Sequence, residues 1–205
     1  MSPEAIEHLR KADKVMAKLI QRVGPCSFKA RARSSPFQSL ATAIIHQQLN
    51  GTAAGTILKR FRALYPHRRF PRPEDVIGTP EKKMRSAGLS GAKTAALKDL
   101  AERTLDGVVP TSRAIRGMGD EEIVERLTAV RGIGPWTAEM LLIFTLGRPD
   151  VLPATDYGVR KGFARTYGRA ELPSPKELAA FGEIWRPHRS TAAWYLWRAL
   201  ELAEA

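Results

Sequence analysis

Two glycines separated by one residue, Gly132-Ile133-Gly134, run directly into Pro135-Trp136, and Asp156 stands 22 positions beyond the second glycine. Apolar, helix-compatible runs flank the glycines on both sides. In such a hairpin the first glycine can take a positive φ, and the second, lacking a Cβ, lets another molecule approach the backbone closely. Pro135 suits the first position of a helix, where no amide donor is missed. The open amides of that first turn, with the helix dipole behind them, favour an anion such as a phosphate. Gly132, Ile133, Gly134 and Thr137 are therefore the candidate phosphate-binding residues. A carboxylate one helix further on could act on the strand whose phosphate the hairpin grips. Gly-x-Gly alone is equally consistent with an ordinary corner between helices. Asp156 follows Pro153-Ala154-Thr155 and precedes a helical run, so it also reads as an N-cap, and the two roles can coexist. The rival carboxylate, Asp150, lies in Arg148-Pro149-Asp150-Val151, which reads as a helix exit and turn.

The elements that must position these residues are helical. Ser35-Pro36 opens an apolar-periodic run through Phe37, Leu40, Ile44, Ile45 and Leu49, with an N-cap followed by Pro at the first helical position. The same punctuation recurs at Thr79-Pro80 and Ser174-Pro175, and Asp120-Glu121-Glu122 supplies acids where a helix N-terminus favours them. No alternating strand with hairpin chemistry is present. The pattern predicts about ten helices joined by short loops. Tyr65–Pro73, basic and proline-rich, reads as a connection between two helical halves, and Leu105–Ser112 as a second surface loop. Ala87-Gly88-Leu89-Ser90-Gly91-Ala92-Lys93 is a weak echo of the later hairpin.

Composition narrows the partners. Across 205 residues, 33 Lys and Arg against 21 Asp and Glu leave a net charge of +12. That balance favours a polyanion, although solvated surface arginines would give the same number. The single cysteine, Cys26, excludes an internal disulfide framework and a four-cysteine metal site, and suits a reducing, cytoplasmic setting. His8, His46, His67 and His188 are too scattered for a zinc pattern. The N-terminus is amphipathic and mixed in charge, without a signal-peptide core, and no apolar run is long enough to span a bilayer. The expected partner is DNA rather than a membrane. Nothing indicates a coiled coil, so a monomer is expected.

Leu127, Gly132-Ile133-Gly134, Trp136-Thr137-Ala138, Arg148-Pro149-Asp150 and Pro153-Ala154-Thr155-Asp156 together resemble the helix–hairpin–helix (HhH-GPD) DNA glycosylase superfamily, in its 3-methyladenine DNA glycosylase II branch. Phe37–Phe61, Gly88–Ala101 and Trp185–Arg198 extend the resemblance over roughly residues 35 to 200. It implies an all-α, two-lobed helical bundle with the hairpin motif at the cleft. One part would comprise residues 35–115, and the N-terminal helix with 116–205 would complete the second lobe. The form expected is minimal, without the β-rich N-terminal domain of some relatives.

The resemblance also implies a chemistry, monofunctional hydrolysis of the N-glycosidic bond of alkylated purines in duplex DNA. Asp156 would be the catalytic carboxylate. Breaking that bond builds oxocarbenium-like charge on the sugar, which a carboxylate stabilises while it orients or deprotonates a water. Bifunctional relatives carry a lysine nucleophile where this chain has Trp136, so lyase activity is not expected. Trp136 and Trp197 would form the base pocket, where indole faces suit a cationic base, with Tyr157 beside Asp156 and Met140 one turn after Trp136. As ordinary tryptophans they would be core, which is how Trp185 and Trp194 read. In His46-Gln47-Gln48-Leu49-Asn50, Gln48 aligns with the side chain that fills the gap left by a flipped base, with Gln47 and His46 near the minor groove. The alternative there is a polar helix end. No cofactor is expected. The carbonyls of Thr128, Val130 and Ile133 could hold a structural Na⁺ or K⁺. Two other functions fit the same features: a glycosylase for a deaminated or etheno base, and a non-catalytic DNA-binding module.

Overall fold

The computed structural model describes residues 2–28, 30 and 34–202. Among these there are twelve α-helices and no strand. In chain order they are α1 (Pro3–Ala12), α2 (Lys14–Val23), α3 (Pro36–His46), α4 (Gly51–Ala63), α5 (Pro73–Gly78), α6 (Glu81–Ser86), α7 (Gly91–Leu105), α8 (Asp120–Thr128), α9 (Pro135–Leu141), α10 (Tyr157–Thr166), α11 (Pro175–Phe181) and α12 (Arg189–Ala199). One-turn 3₁₀ segments lie at Ala114–Gly117 and Gly182–Trp185, and a π-helical turn at Leu142–Leu146 follows α9.

The predicted punctuation explains several starts. Ser35 caps α3, with its hydroxyl accepting from the Gln38 amide. Ser174 and Glu177 form a reciprocal capping box on α11. Asp120 opens α8. Thr79-Pro80 behaves differently from expectation: α6 starts at Glu81 with Pro80 as its N-cap, and Thr79 ends α5. The Thr79 hydroxyl is bonded instead to the Asp75 carbonyl and to Tyr65.

The chain divides into two compact units, Ala32–Leu141 and, from both chain ends, Met1–Arg31 with Leu142–Ala205. Residues 116–141 therefore group with 35–115 and not with the N-terminal helix, contrary to the division expected from the sequence. The reason is packing: α8 and α3 both rest on α9, and α3 also rests on α7. Residues 203–205 of that expected lobe lie outside the described residues. Tyr65–Pro73 is likewise no connection between halves, because it joins α4 to α5 within one unit. Arg62 donates to the Arg69 carbonyl, Arg68 pairs with Asp75, and Phe70 packs edge-on against Phe37 and Phe61.

The continuous unit buries Phe37, Leu40, Ile44 and Ile45 of α3 with Phe61, Met84, Leu97, Leu100 and Leu127. In the discontinuous unit, Leu9, Met16, Leu19 and Ile20 from the first two helices join Val159, Phe163, Leu178, Trp185 and residues 192–196 in one core. Each Val, Leu, Ile, Met or Phe among them contributes about 1.5–3 kcal/mol when fully buried. Asp13 is the polar fixture of this core. It caps α2 through the Val15 and Met16 amides and accepts from Tyr167 and from the Trp185 indole. Burial, with the Asp13 carboxylate beside it, pushes the Tyr167 hydroxyl far above its ordinary range.

Candidate functional site

The site residues fall in both units, and each group is built within its own. In the discontinuous unit, Asp156 is the N-cap of α10, its Oδ1 accepting from the Val159 amide at 2.7 Å. The same oxygen accepts from Trp197 Nε1 at 2.9 Å. Capping and a second, directed bond thus coexist on one carboxylate, and the two donors fix its orientation.

Two glycines make that bond sterically feasible. A Cβ on Gly162 would overlap the Leu196 carbonyl, so α10 and α12 approach backbone to backbone there. One turn earlier, a Cβ on Gly158 would come within 3.0 Å of Trp197 Cδ1 and 3.1 Å of Asp156 Oδ1. Their i, i+4 spacing puts both on the face of α10 turned to α12. These glycines escaped the sequence reading, although the small-residue spacing was visible in it.

An aromatic wall extends from Trp197. Phe144, delivered by the π-helical turn, lies tilted against it at 5.6 Å between centroids, and Phe28 meets Phe144 edge-on at 5.3 Å. Neither phenylalanine was singled out from sequence. A single π turn follows the same apolar pattern as an α-helix and leaves no separate signal. Tyr157 is exposed, with Lys161 Nζ 5.8 Å from its ring centroid. Trp185 and Trp194 are buried in the core, as their ordinary reading holds. Asp150 is a structural carboxylate. It takes Arg186 Nη1 at 2.7 Å and Arg189 Nε at 2.8 Å, and both arginines also pair with Glu183.

In the continuous unit the hairpin follows α8. Val130 donates to the Leu127 carbonyl, and Ile133 to that of Val130. Gly132 has φ 77°, the left-handed region that glycine adopts at no steric cost. A Cβ there would meet Ala96 at an ordinary 3.6 Å, so conformation rather than space selects glycine. Two of the four candidate phosphate ligands are restricted. The Ile133 side chain is buried and its amide is already spent on Val130. Thr137 is buried as well. Gly134 and Trp136 are exposed, and Met140 is half-buried. Asp99 of α7 accepts from the Arg131 amide at 2.7 Å, bracing the hairpin from behind.

The loop after α3 carries the candidate wedge. Gln48 is exposed, and among the described residues it alone is a non-glycine with positive φ, at 57°. Gln47 Nε2 donates to the Gly132 carbonyl at 2.8 Å, so this residue is built into the hairpin. His46 Nδ1 bonds the Thr42 carbonyl. Asn50 is a cap, its side chain accepting from Ala53 at the start of α4. The polar-helix-end reading describes both Gln47, the C-cap of α3, and Asn50, the N-cap of α4; Gln48 stands between them in the left-handed region. Leu49 is also exposed beside Gln48.

No group of three or more His, Cys, Asp or Glu placed to hold a metal occurs among the described residues, and no helix is long and apolar enough to cross a membrane.

Residues 41–187 match the family described as "HhH-GPD superfamily base excision DNA repair protein". DNA-3-methyladenine glycosylase 1 of Schizosaccharomyces pombe is 37% identical over 198 residues, spanning 96% of this chain and 87% of the relative. A solved Schizosaccharomyces pombe 3-methyladenine DNA glycosylase, in complex with abasic DNA, superposes with a TM-score of 0.88 at 37% identity over 98% of both chains. A DNA-3-methyladenine glycosidase from Bacillus halodurans gives a TM-score of 0.86 at 33% identity, over 97% of this chain and 89% of its own. With its glycine hairpin, all-helical fold and these relatives, the chain belongs to the HhH-GPD superfamily of base excision DNA repair proteins.

Proposed function

We propose that this chain hydrolyses the N-glycosidic bond of alkylated purines, of the 3-methyladenine and 7-methylguanine type, in duplex DNA. The observation that carries the reading is Asp156, a carboxylate oriented by the Val159 amide and the Trp197 indole beside an aromatic wall. The names of the similar glycosylases support the choice of lesion.

In this reaction the bond between C1′ and the base nitrogen breaks, and the base departs with the electron pair. An alkylated purine is already cationic and leaves readily, so the demand on the protein lies at the sugar. Asp156 stabilises the oxocarbenium-like charge there and accepts a proton from the water that adds to C1′. Trp136 and Trp197 present aromatic faces to a positively charged base. Gly132, Gly134 and Thr137 hold a phosphate, and Gln48 fills the vacated stack with Gln47 and His46 beside it. Trp136 occupies the position of the lyase lysine, so the product is an abasic site and the strand stays intact. The reading further includes a monomeric enzyme acting on intracellular DNA. It also includes a Na⁺ or K⁺ ion bound by the Thr128, Val130 and Ile133 carbonyls, which assists phosphate binding and takes no part in the chemistry. The Val130 carbonyl, already bonded to Ile133, keeps a second lone pair for such an ion.

The test is release of free base from methylated duplex DNA by wild type and by Asp156→Asn. Wild type should release 3-methyladenine and 7-methylguanine, and the variant should lose about a hundredfold or more in rate. No release by either protein, with tight DNA binding retained, would overturn the alkylpurine reading in favour of another lesion or a binding module.

A further inference from the structure

α7 begins in the weak echo of the hairpin. Gly88 takes φ 96° and Ser90 caps the helix through the Lys93 amide, so the echo is a real helical corner. The Lys93 side chain does not point to solvent like an ordinary helical lysine. Its Nζ donates to the Ile45 carbonyl at 2.7 Å and to the Gln47 carbonyl at 2.9 Å. These belong to the end of α3, where the last carbonyls have no intrahelical partner. The neighbouring groups are otherwise accounted for: the Ala43 carbonyl takes the Gln47 amide, Thr42 takes the His46 ring and His46 takes the Leu49 amide. Desolvation pushes the Lys93 ammonium below its ordinary value, as expected of a cation drawn into the protein.

Gln48 follows directly. A left-handed conformation is unfavourable for a non-glycine residue, so something must hold it. Gln47 is fixed on two sides, its carbonyl by Lys93 and its side chain by the Gly132 carbonyl. α7 meanwhile braces the hairpin through Asp99 and the Arg131 amide. One helix thus registers both DNA-facing loops.

We propose that Lys93 is a positioning residue for base flipping. By bridging the Ile45 and Gln47 carbonyls its ammonium keeps Gln48 in the left-handed conformation from which the side chain enters the stack. This rests on the reading of Gln48 as the wedge. Lys93 touches neither base nor sugar in this role and acts only through the loop.

The test uses the whole protein and a duplex with an abasic site beside 2-aminopurine, whose fluorescence reports filling of the gap without any base release. Wild type at saturation should change the signal. Lys93→Met should abolish most of that change while affinity stays within about threefold. On methylated DNA the same variant should lose about tenfold or more on duplex, the scale of a lost charge-assisted hydrogen bond, and less than about threefold on single strands. In a Gln48→Ala background, Lys93→Met should cost nothing further on duplex. A full fluorescence change in Lys93→Met, or losses that add in the double variant, would overturn the inference alone. A Gln48→Ala variant that still fills the gap would overturn the wedge reading and this inference together. Should the methionine variant not fold, Lys93→Gln carries the same comparison, since its shorter amide cannot bridge both carbonyls.

Discussion

Oδ1 of Asp156 takes two hydrogen bonds whose donors differ in origin. The Val159 bond is local and follows from any helix that starts there. The Trp197 bond is tertiary and spans 41 positions of chain. Trp197→Phe separates the two, because it keeps an aromatic face and removes the indole N–H. A hydrogen bond to a charged group is worth about 1.5–3 kcal/mol, so base release should fall by about tenfold or more with abasic-duplex affinity little changed. Single-turnover rates beside equilibrium binding would check this, and an unchanged rate would show that orientation by the cap suffices. The capping role of Asp156 was legible in the sequence because a cap is chosen by chemistry within one turn. The Trp197 bond was not, since nothing in either segment specifies the other.

At the scale of elements, the same bond depends on how closely two helices approach. Gly162→Ala drives a methyl group into the Leu196 carbonyl and must push α10 from α12. Overpacking of this kind costs about 1–3 kcal/mol. Gly55, within α4, is exposed and has nothing within 4 Å of its added Cβ, so Gly55→Ala should stabilise the protein by about 0.5–1 kcal/mol. Urea titration of both variants gives the comparison; a neutral Gly162→Ala would mean the interface relaxes freely. Helix starts at Ser35, Ser174 and Asp120 could be read from sequence, because a cap is chosen by chemistry within one turn. Thr79 misled because its hydroxyl had a better offer from Asp75 and Tyr65, the latter 14 residues away. The grouping of 116–141 with the preceding helices was likewise hidden, since the contacts of α3 with α9 join segments far apart in sequence.

For the molecule as a whole, the two chain ends meet in one core, and that closure carries titratable groups. His8 of α1 and His188 at the start of α12 sit ring to edge at 5.2 Å. Nε2 of His8 and Nδ1 of His188 are buried with no hydrogen-bond partner among the described residues. Burial lowers the His188 pKa below its ordinary 6.5, and the His8 charge lowers it further, while Asp150 and Glu4 oppose the shift. Below 6.5 the unfolded chain therefore binds the proton more readily than the folded one. The contribution is fully present above that value and is lost as pH falls toward the folded pKa. Unfolding free energy should decline from about pH 7 to about pH 5, and more steeply in wild type than in His188→Asn. Parallel curves in urea titrations across that range would remove the histidine from the account. The shared core has a further consequence for synthesis. The unit from Ala32 to Leu141 is contiguous, so all its helices have been synthesised before α10 begins. Through that interval Leu9, Met16, Leu19 and Ile20 of the first-made helices lack their native cover. The nascent chain therefore leaves this amphipathic pair uncovered until α10 and α12 are made, and termination anywhere before α12 leaves its apolar face without the native core.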